Sequence, residues 1–93
     1  MDMSTDAVIH NVDARRFELT LQGHTAVLDY QLTGRTITFT HTGVPPAIEG
    51  RGIGSKLVRA GLEHARSQEL KVRTTCWFVG KYLRRHPEYR DLM

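Results

Sequence analysis

Apolar residues fall at every second position between Phe17 and Phe39 and at every third or fourth position from Ile53 onward, and the change is made across Gly43 to Gly54, a stretch with two prolines and four glycines. Period two belongs to half-buried strands and the longer period to one face of a helix, so a sheet must precede a helix here. Phe17, Leu19 and Leu21 alternate with Glu18 and Thr20; Ala26, Leu28, Tyr30 and Leu32 alternate with Thr25, Asp29 and Gln31, with Val27 the apolar exception; Ile37, Phe39 and His41 alternate with threonines. Gln22-Gly23 and Thr33-Gly34 join these runs, and glycine accepts the positive φ that tight hairpins need. Three strands of an antiparallel meander are predicted. Pro45 and Pro46 cannot donate ladder hydrogen bonds, so a loop leaves the third strand there.

Ile53, Leu57, Gly61 and Ala65, with Val58 and Leu62 beside them, predict an amphipathic helix from Gly52 to about Ser67. Leu70, Val72 and Thr74 predict a short fourth strand, and Trp77 to His86 a second helix that stops before Pro87. The order is β-β-β-α-β-α, an α+β fold in which a helical crossover continues the meander by one parallel strand and the helices pack on the sheet. The 93 residues suffice for one core and one domain over 1–93, with 1–6 a frayed end. No apolar run approaches the roughly 18 to 20 residues of a membrane span, and the N-terminus lacks a secretory h-region. A cytoplasmic protein with no membrane partner is expected. One cysteine, Cys76, excludes an internal disulfide, and no Cys/His spacing suits a metal site.

Residues 1–50 hold 3 basic and 6 acidic side chains, whereas residues 51–93 hold 10 basic and 4 acidic. Such asymmetry predicts a localised anion-attracting surface. Glu49-Gly50-Arg51-Gly52-Ile53-Gly54-Ser55 lies between strand and helix with no Ser, Thr, Asp or Asn as N-cap. Free N–H groups and the positive dipole end of a helix attract anions, glycines allow close approach, and Arg51 and Lys56 add charge, so phosphate is the natural guest. The spacing fits neither the dinucleotide G-x-G-x-x-G pattern, since Ser55 takes the third place, nor the Walker pattern, since Ser55 precedes Lys56. A glycine turn that only permits close packing is the competing reading.

Two segments, VPPAIEGRGIGSKLV over 44–58 and TTCWFVGKYLRRHPEY over 74–89, resemble the GNAT N-acetyltransferase superfamily, and in particular its minimal single-domain branch. The resemblance implies that Gly50, Arg51, Gly52, Ile53, Gly54, Ser55 and Lys56 hold the pyrophosphate of acetyl-CoA. It also implies that the strand ending near Val44 splays from the strand ending near Cys76, with the pantetheine arm in the gap. Glu49 stands where the superfamily has Arg or Gln, and Gly43 where minimal members often carry an acidic residue. Larger relatives insert helices between their first two strands; the Leu21–His24 turn leaves no room for them, so the acceptor pocket is shallow or built with a second copy as a homodimer.

By that resemblance Tyr82 is the general acid facing the CoA sulfur, a phenol able to protonate a thiolate; packing of the last helix is its alternative. Cys76 could accept acetyl or act as a base if its pKa is lowered, or it is a packed thiol. His41 has the intrinsic pKa of a base, or is a satisfied core histidine. Lys81, Arg84, Arg85 and Arg90 are a solvated face or meet the adenosine 3′-phosphate. The function implied is acetyl transfer from acetyl-CoA to an amine of a small molecule, polyamine or protein; a non-catalytic CoA-binding module is the alternative. Nucleic-acid binding through Trp77, Tyr82 and Tyr89 is disfavoured by a net charge of only +3 and by their poor sharing of a face.

Overall fold

The computed structural model describes residues 8–93, so the expected frayed end at 1–6 lies outside the described residues. Its elements are β1 (Val8–Asn11), β2 (Arg16–Leu21), β3 (His24–Thr33), β4 (Thr36–Gly43), a 3-10 turn (Pro46–Ile48), α1 (Ile53–Ser67), β5 (Lys71–Thr74), α2 (Trp77–Arg85) and a second 3-10 segment (Pro87–Leu92). The sheet order is β1-β2-β3-β4-β5, antiparallel through β4 and parallel between β4 and β5. This is the expected α+β arrangement with one strand more, since four strands rather than three precede the crossover helix.

The missed strand is β1. Val8 and His10 pair with Leu19 and Phe17 and so share their inward face, while Ile9 is 61% exposed. A histidine in an inward position hides the apolar alternation on which strand recognition depends. The first strand-to-strand connection is therefore Val12–Arg15 rather than the Leu21–His24 turn, and four residues again leave no room for inserted helices.

The first predicted hairpin turn stands at Gln22-Gly23, where both residues have positive φ (53° and 79°), as a two-residue type I′ turn requires. The second lies one residue later than expected: Thr33 still pairs with Thr36, and Gly34-Arg35 make the turn with Gly34 at φ 59°. The shift lets the Arg35 guanidinium donate to the carbonyls of Gln68 and Glu69 at 2.7 and 3.1 Å, filling acceptors that the end of α1 leaves open. That end is a Schellman turn: Leu70 N–H donates to Ala65 O and Glu69 N–H to Arg66 O, with Glu69 at φ 57°.

Both helices lie on one face of the sheet. Leu57, Val58, Leu62 and Ala65 of α1 are fully buried against Leu28, Ile37 and Phe39. The approach is closest at Gly61, where a Cβ would stand 2.8 Å from Cε1 of Phe39 and 3.0 Å from Cδ2 of Leu28. The other face carries polar side chains, among them Glu18, Asp29, Thr36, Thr38 and Arg73, by the observed registers. No helix among the described residues is long and apolar enough to cross a membrane.

One irregularity in β4 matters for the site. Asp29 pairs with His41 but Tyr30 with Phe39, so Thr40 is an extra residue, a β-bulge. Side-chain phase reverses beyond it. Thr42, opposite the buried Leu28, takes the inward face, and His41, opposite Asp29, is exposed on the outer one. The expectation that His41 continues the apolar phase of Ile37 and Phe39 is thereby corrected, because the alternating threonines run through the bulge without a break in pattern.

Two outcomes follow from this packing. Gly61→Ala should destabilise the protein by about 1–3 kcal/mol, the usual cost of overpacking, measured as a lowered urea midpoint at unchanged m. At the β1 end His10 stacks on Phe17 at 4.2 Å, receives or donates a hydrogen bond at the Tyr30 hydroxyl (2.7 Å) and meets the His64 ring edge-on at 4.5 Å. Burial lowers the pKa of both histidines, and for His10 the neighbouring His64 adds to it. The folded state thus binds fewer protons than the unfolded one. The stability these rings contribute is present above the unfolded value of about 6.5 and is lost as pH falls from there through the lowered folded values. Thermal melts between pH 7.5 and 5 should show a falling Tm, with a smaller fall in His64→Phe.

Candidate active site

β4 and β5 remain paired only from Thr36 opposite Lys71 to Phe39 opposite Thr74. Beyond that point β4 bulges and runs on to Gly43, while β5 turns into α2. The corner is fixed by a single hydroxyl: Thr74 Oγ1 donates to Phe39 O at 2.9 Å and accepts from Cys76 N–H at 2.9 Å. Thr75 N–H donates to the same Phe39 carbonyl at 3.0 Å. The two strands therefore part at Phe39, and β4 leaves backbone groups from Thr40 onward without a β5 partner.

A cavity of about 580 Å³ opens into this gap. Thr42, Gly43 and Val44 line one side, and Glu49, Gly50, Gly52, Ile53, Gly54 and Ser55 line the other, with Phe78 as its base. Gly50 and Gly52 both have left-handed φ, 81° and 71°, which L side chains rarely adopt. Gly52 is the N-cap of α1 and offers no side-chain cap; no acidic residue occupies the first turn. The first helical bond runs from Lys56 N–H to Gly52 O at 3.1 Å, so the N–H groups of Ile53, Gly54 and Ser55 have no helical acceptor. Gly54 has a packing reason instead: a Cβ there would lie 2.9 Å from Cζ of Phe78.

The expected residues do not all converge on this cavity. Val44, Gly50, Gly52, Ile53, Gly54 and Ser55 come together around the cavity, whereas the exposed Arg51 and Lys56 do not line it. Cys76 is half-buried at the N-cap of α2, with its sulfur 3.6 Å from Oγ1 of Thr42. Burial pushes the thiol pKa up. The N–H groups of Val79, Phe78 and Thr42 and the Thr42 hydroxyl outweigh it, so the pKa lies below its ordinary value, although no side-chain cap hydrogen bond is completed. Tyr82 faces a neighbouring depression of about 140 Å³ that includes Ser55, Lys81 and Arg85, and it stacks on His86 at 3.9 Å. Burial raises its pKa further above neutrality. His41 stands on the opposite face of the sheet, where its Nε2 is 3.0 Å from the place of a Cβ on Gly43.

Thr42 and Phe78 are site residues that the sequence reading missed. The bulge that turns Thr42 inward leaves no mark on the alternation, and Phe78 reads equally well as ordinary core. The four cations of the last segment also separate, with Lys81 and Arg85 beside the loop and Arg84 and Arg90 near β5. Tyr89 is buried and bonded to Glu63 at 2.6 Å, so Trp77, Tyr82 and Tyr89 form no common stacking surface. Among the described residues no group of three or more His, Cys, Asp or Glu could hold a metal ion.

Residues 16–92 match the model of a family described as GCN5-related N-acetyl-transferase. The chain is 37% identical over 91 residues to Protein NATD1 of Xenopus tropicalis, covering 94% of this chain and 84% of that one. It is 39% identical over 83 residues to Protein NATD1 of Homo sapiens, covering 86% and 74%. A GCN5-like protein of Staphylococcus aureus, solved by NMR in solution, superposes with a TM-score of 0.69 at 30% identity over 84% of this chain and 79% of that one. With the parted parallel strands, the uncapped glycine turn between them and a family match over nearly the whole described chain, this protein belongs to the GCN5-related N-acetyltransferase family.

Proposed function

We propose that the protein transfers an acetyl group from acetyl-CoA to an amine. The observation that carries this reading is the cavity between the free end of β4 and the uncapped start of α1, whose lining residue Thr42 meets a thiol of lowered pKa, Cys76. Residues and cofactor fit. The three N–H groups of Ile53, Gly54 and Ser55 and the left-handed glycines offer a concave donor surface for pyrophosphate. The unpaired edge of β4 offers amide groups to the pantetheine arm. Lys81 and Arg85, which share the adjoining depression with Ser55, add positive charge beside the turn. Glu49 lines the same cavity, and its repulsion is the cost that the donor surface must offset.

In the transfer the neutral amine attacks the thioester carbonyl, a C–N bond forms, the C–S bond breaks, the amine nitrogen gives up a proton to solvent or to a base, and the departing CoA thiolate takes one. Tyr82, a phenol that its ordinary pKa of about 10 already leaves protonated at neutral pH, is the proposed donor of that proton. The lowered thiol pKa of Cys76 favours a second route, in which the thiolate first accepts the acetyl group and then passes it to the amine. His41 can serve as base only to an amine arriving from the outer sheet face. Acceptors of that kind include a polyamine or an exposed protein lysine, because no helix among the described residues covers the outer face.

Titration calorimetry of CoA and acetyl-CoA tests the cofactor. Ser55→Asp is the informative variant, because a carboxylate in the first turn of a helix stabilises it by about 0.3–1 kcal/mol while repelling phosphate. Retained or raised Tm with CoA affinity lowered at least about tenfold is the expected result; unchanged affinity would remove the loop as the pyrophosphate site. Free-thiol release in an amine screen then separates an enzyme from a cofactor-binding module. Tyr82→Phe should lower kcat by about 10²-fold or more if the phenol is the acid. Intact-mass analysis after acetyl-CoA incubation should show an acetyl adduct that Cys76→Ser abolishes if the covalent route operates, and none if transfer is direct.

A further inference from the structure

β5 is the outermost strand on the crossover side of the sheet. In a parallel pair, the backbone groups of successive residues point alternately towards the neighbour and away from it. Lys71 N–H donates to Arg35 O at 2.7 Å and Thr75 N–H to Phe39 O at 3.0 Å. Residues 71, 73 and 75 therefore face β4, and the backbone N–H and C=O groups of Val72 and Thr74 face outward. Neither has a backbone partner among the described residues.

This edge lies in a groove with two walls. On the outer face a depression of about 800 Å³ runs past Thr36, Thr38, Lys71 and Arg73; on the helix side one of about 380 Å³ runs past Leu83, Arg84 and Arg90. They meet at Thr74 and at Met93, which is 59% exposed. The first wall carries threonines and two cations, and the second is mainly apolar with an arginine rim. No carboxylate stands within 4.0 Å of Lys71, Arg73, Arg84 or Arg90 among the described residues. Asp91, whose pKa is lowered first by Arg66 and slightly by Lys71, is held by Arg66 at 2.9 and 3.2 Å.

We infer that the free edge of β5 receives an extended, acidic segment of a partner protein as a sixth strand. Backbone pairing with Val72 and Thr74 would supply the affinity, and alternate side chains of the guest would meet the two walls. Carboxylates on one face of the guest meet Lys71 and Arg73, and aliphatic side chains on the other enter the groove beside Leu83 and Met93. A second copy of this chain is the poorer occupant, since β5 against β5 sets Lys71 and Arg73 against themselves. The edge shares no lining residue with the Gly50–Ser55 cavity, so this inference stands apart from the acyl-transfer reading.

The test is an NMR titration of the ¹⁵N-labelled full chain with a capped heptapeptide alternating glutamate and valine. Its controls are a lysine and valine counterpart and a version of the first peptide N-methylated on the residues that would donate to β5. Saturable shifts of the Val72 and Thr74 amides are expected with the acidic peptide, and affinity should fall at least about tenfold on N-methylation and in the exposed Lys71→Glu, Arg73→Glu double variant. CoA titration of the double variant should be unchanged. Absence of shifts at millimolar acidic peptide would overturn the inference and leave the cations as guards against strand pairing; equal binding of the N-methylated peptide would overturn it as well. Concentration-dependent dimers in sedimentation, with concentration-dependent shifts of the Val72 and Thr74 amides in the absence of peptide, would assign the edge to a second copy instead.

Discussion

Phe39 is where the sheet, the crossover helix and the site meet. Its ring lies under Gly61 so closely that a single Cβ would collide with it, which brings α1 down onto the sheet. Its carbonyl accepts from both Thr74 Oγ1 and Thr75 N–H, the last bonds that tie β5 to β4. The next residue is the bulge. One side chain and one carbonyl thus set the depth of the helix, the point at which the strands part and the place where side-chain phase reverses. The cavity between β4 and the start of α1 inherits its position from all three.

The bulge also sorts the polar residues of β4 between two environments. Thr42 turns towards the helices and meets the Cys76 sulfur, while His41 turns to the uncovered face beside Asp29. A chain with so few elements thereby sets polar side chains on both faces of one strand. The C-terminal segment closes the other side. Tyr89, its pKa pushed up to about 12 by burial and by the hydrogen bond to Glu63, and Arg66, paired with Asp91, fasten the last 3-10 turns to α1. These ties hold the helix whose first turn forms the floor of the site.

Most of the architecture was legible because it rests on periodicity. The strands from Phe17 to Phe39, the crossover helix, the short strand at Val72 and the last helix each announce themselves by where apolar residues recur. What stayed hidden depends on partners distant in sequence. β1 is held inward by His10 stacked on Phe17 and bonded to Tyr30, twenty residues away, and a histidine offers no local sign of such a place. The Thr40 bulge sits within a run of alternating threonines that reads the same with or without it. Glu69 occupies a left-handed position that usually belongs to glycine, so the Schellman turn could not be read from residue type. At the site, the glycine turn was visible from its spacing, but the approach of Thr42 to Cys76 was not.

The missing cap on α1 has a thermodynamic consequence. A side-chain N-cap is worth roughly 1 kcal/mol over alanine and a few tenths over glycine, and with Gly52 in that place the longest helix among the described residues goes without one. On the function proposed above, an anion seated on those N–H groups would supply it from outside. Binding at the turn and folding of the whole chain are then one linked equilibrium, since a ligand at a hundred times its Kd adds about 2.7 kcal/mol to stability. In a cell, the lifetime of such a chain against unfolding and proteolysis would follow the supply of the molecule that completes its helix.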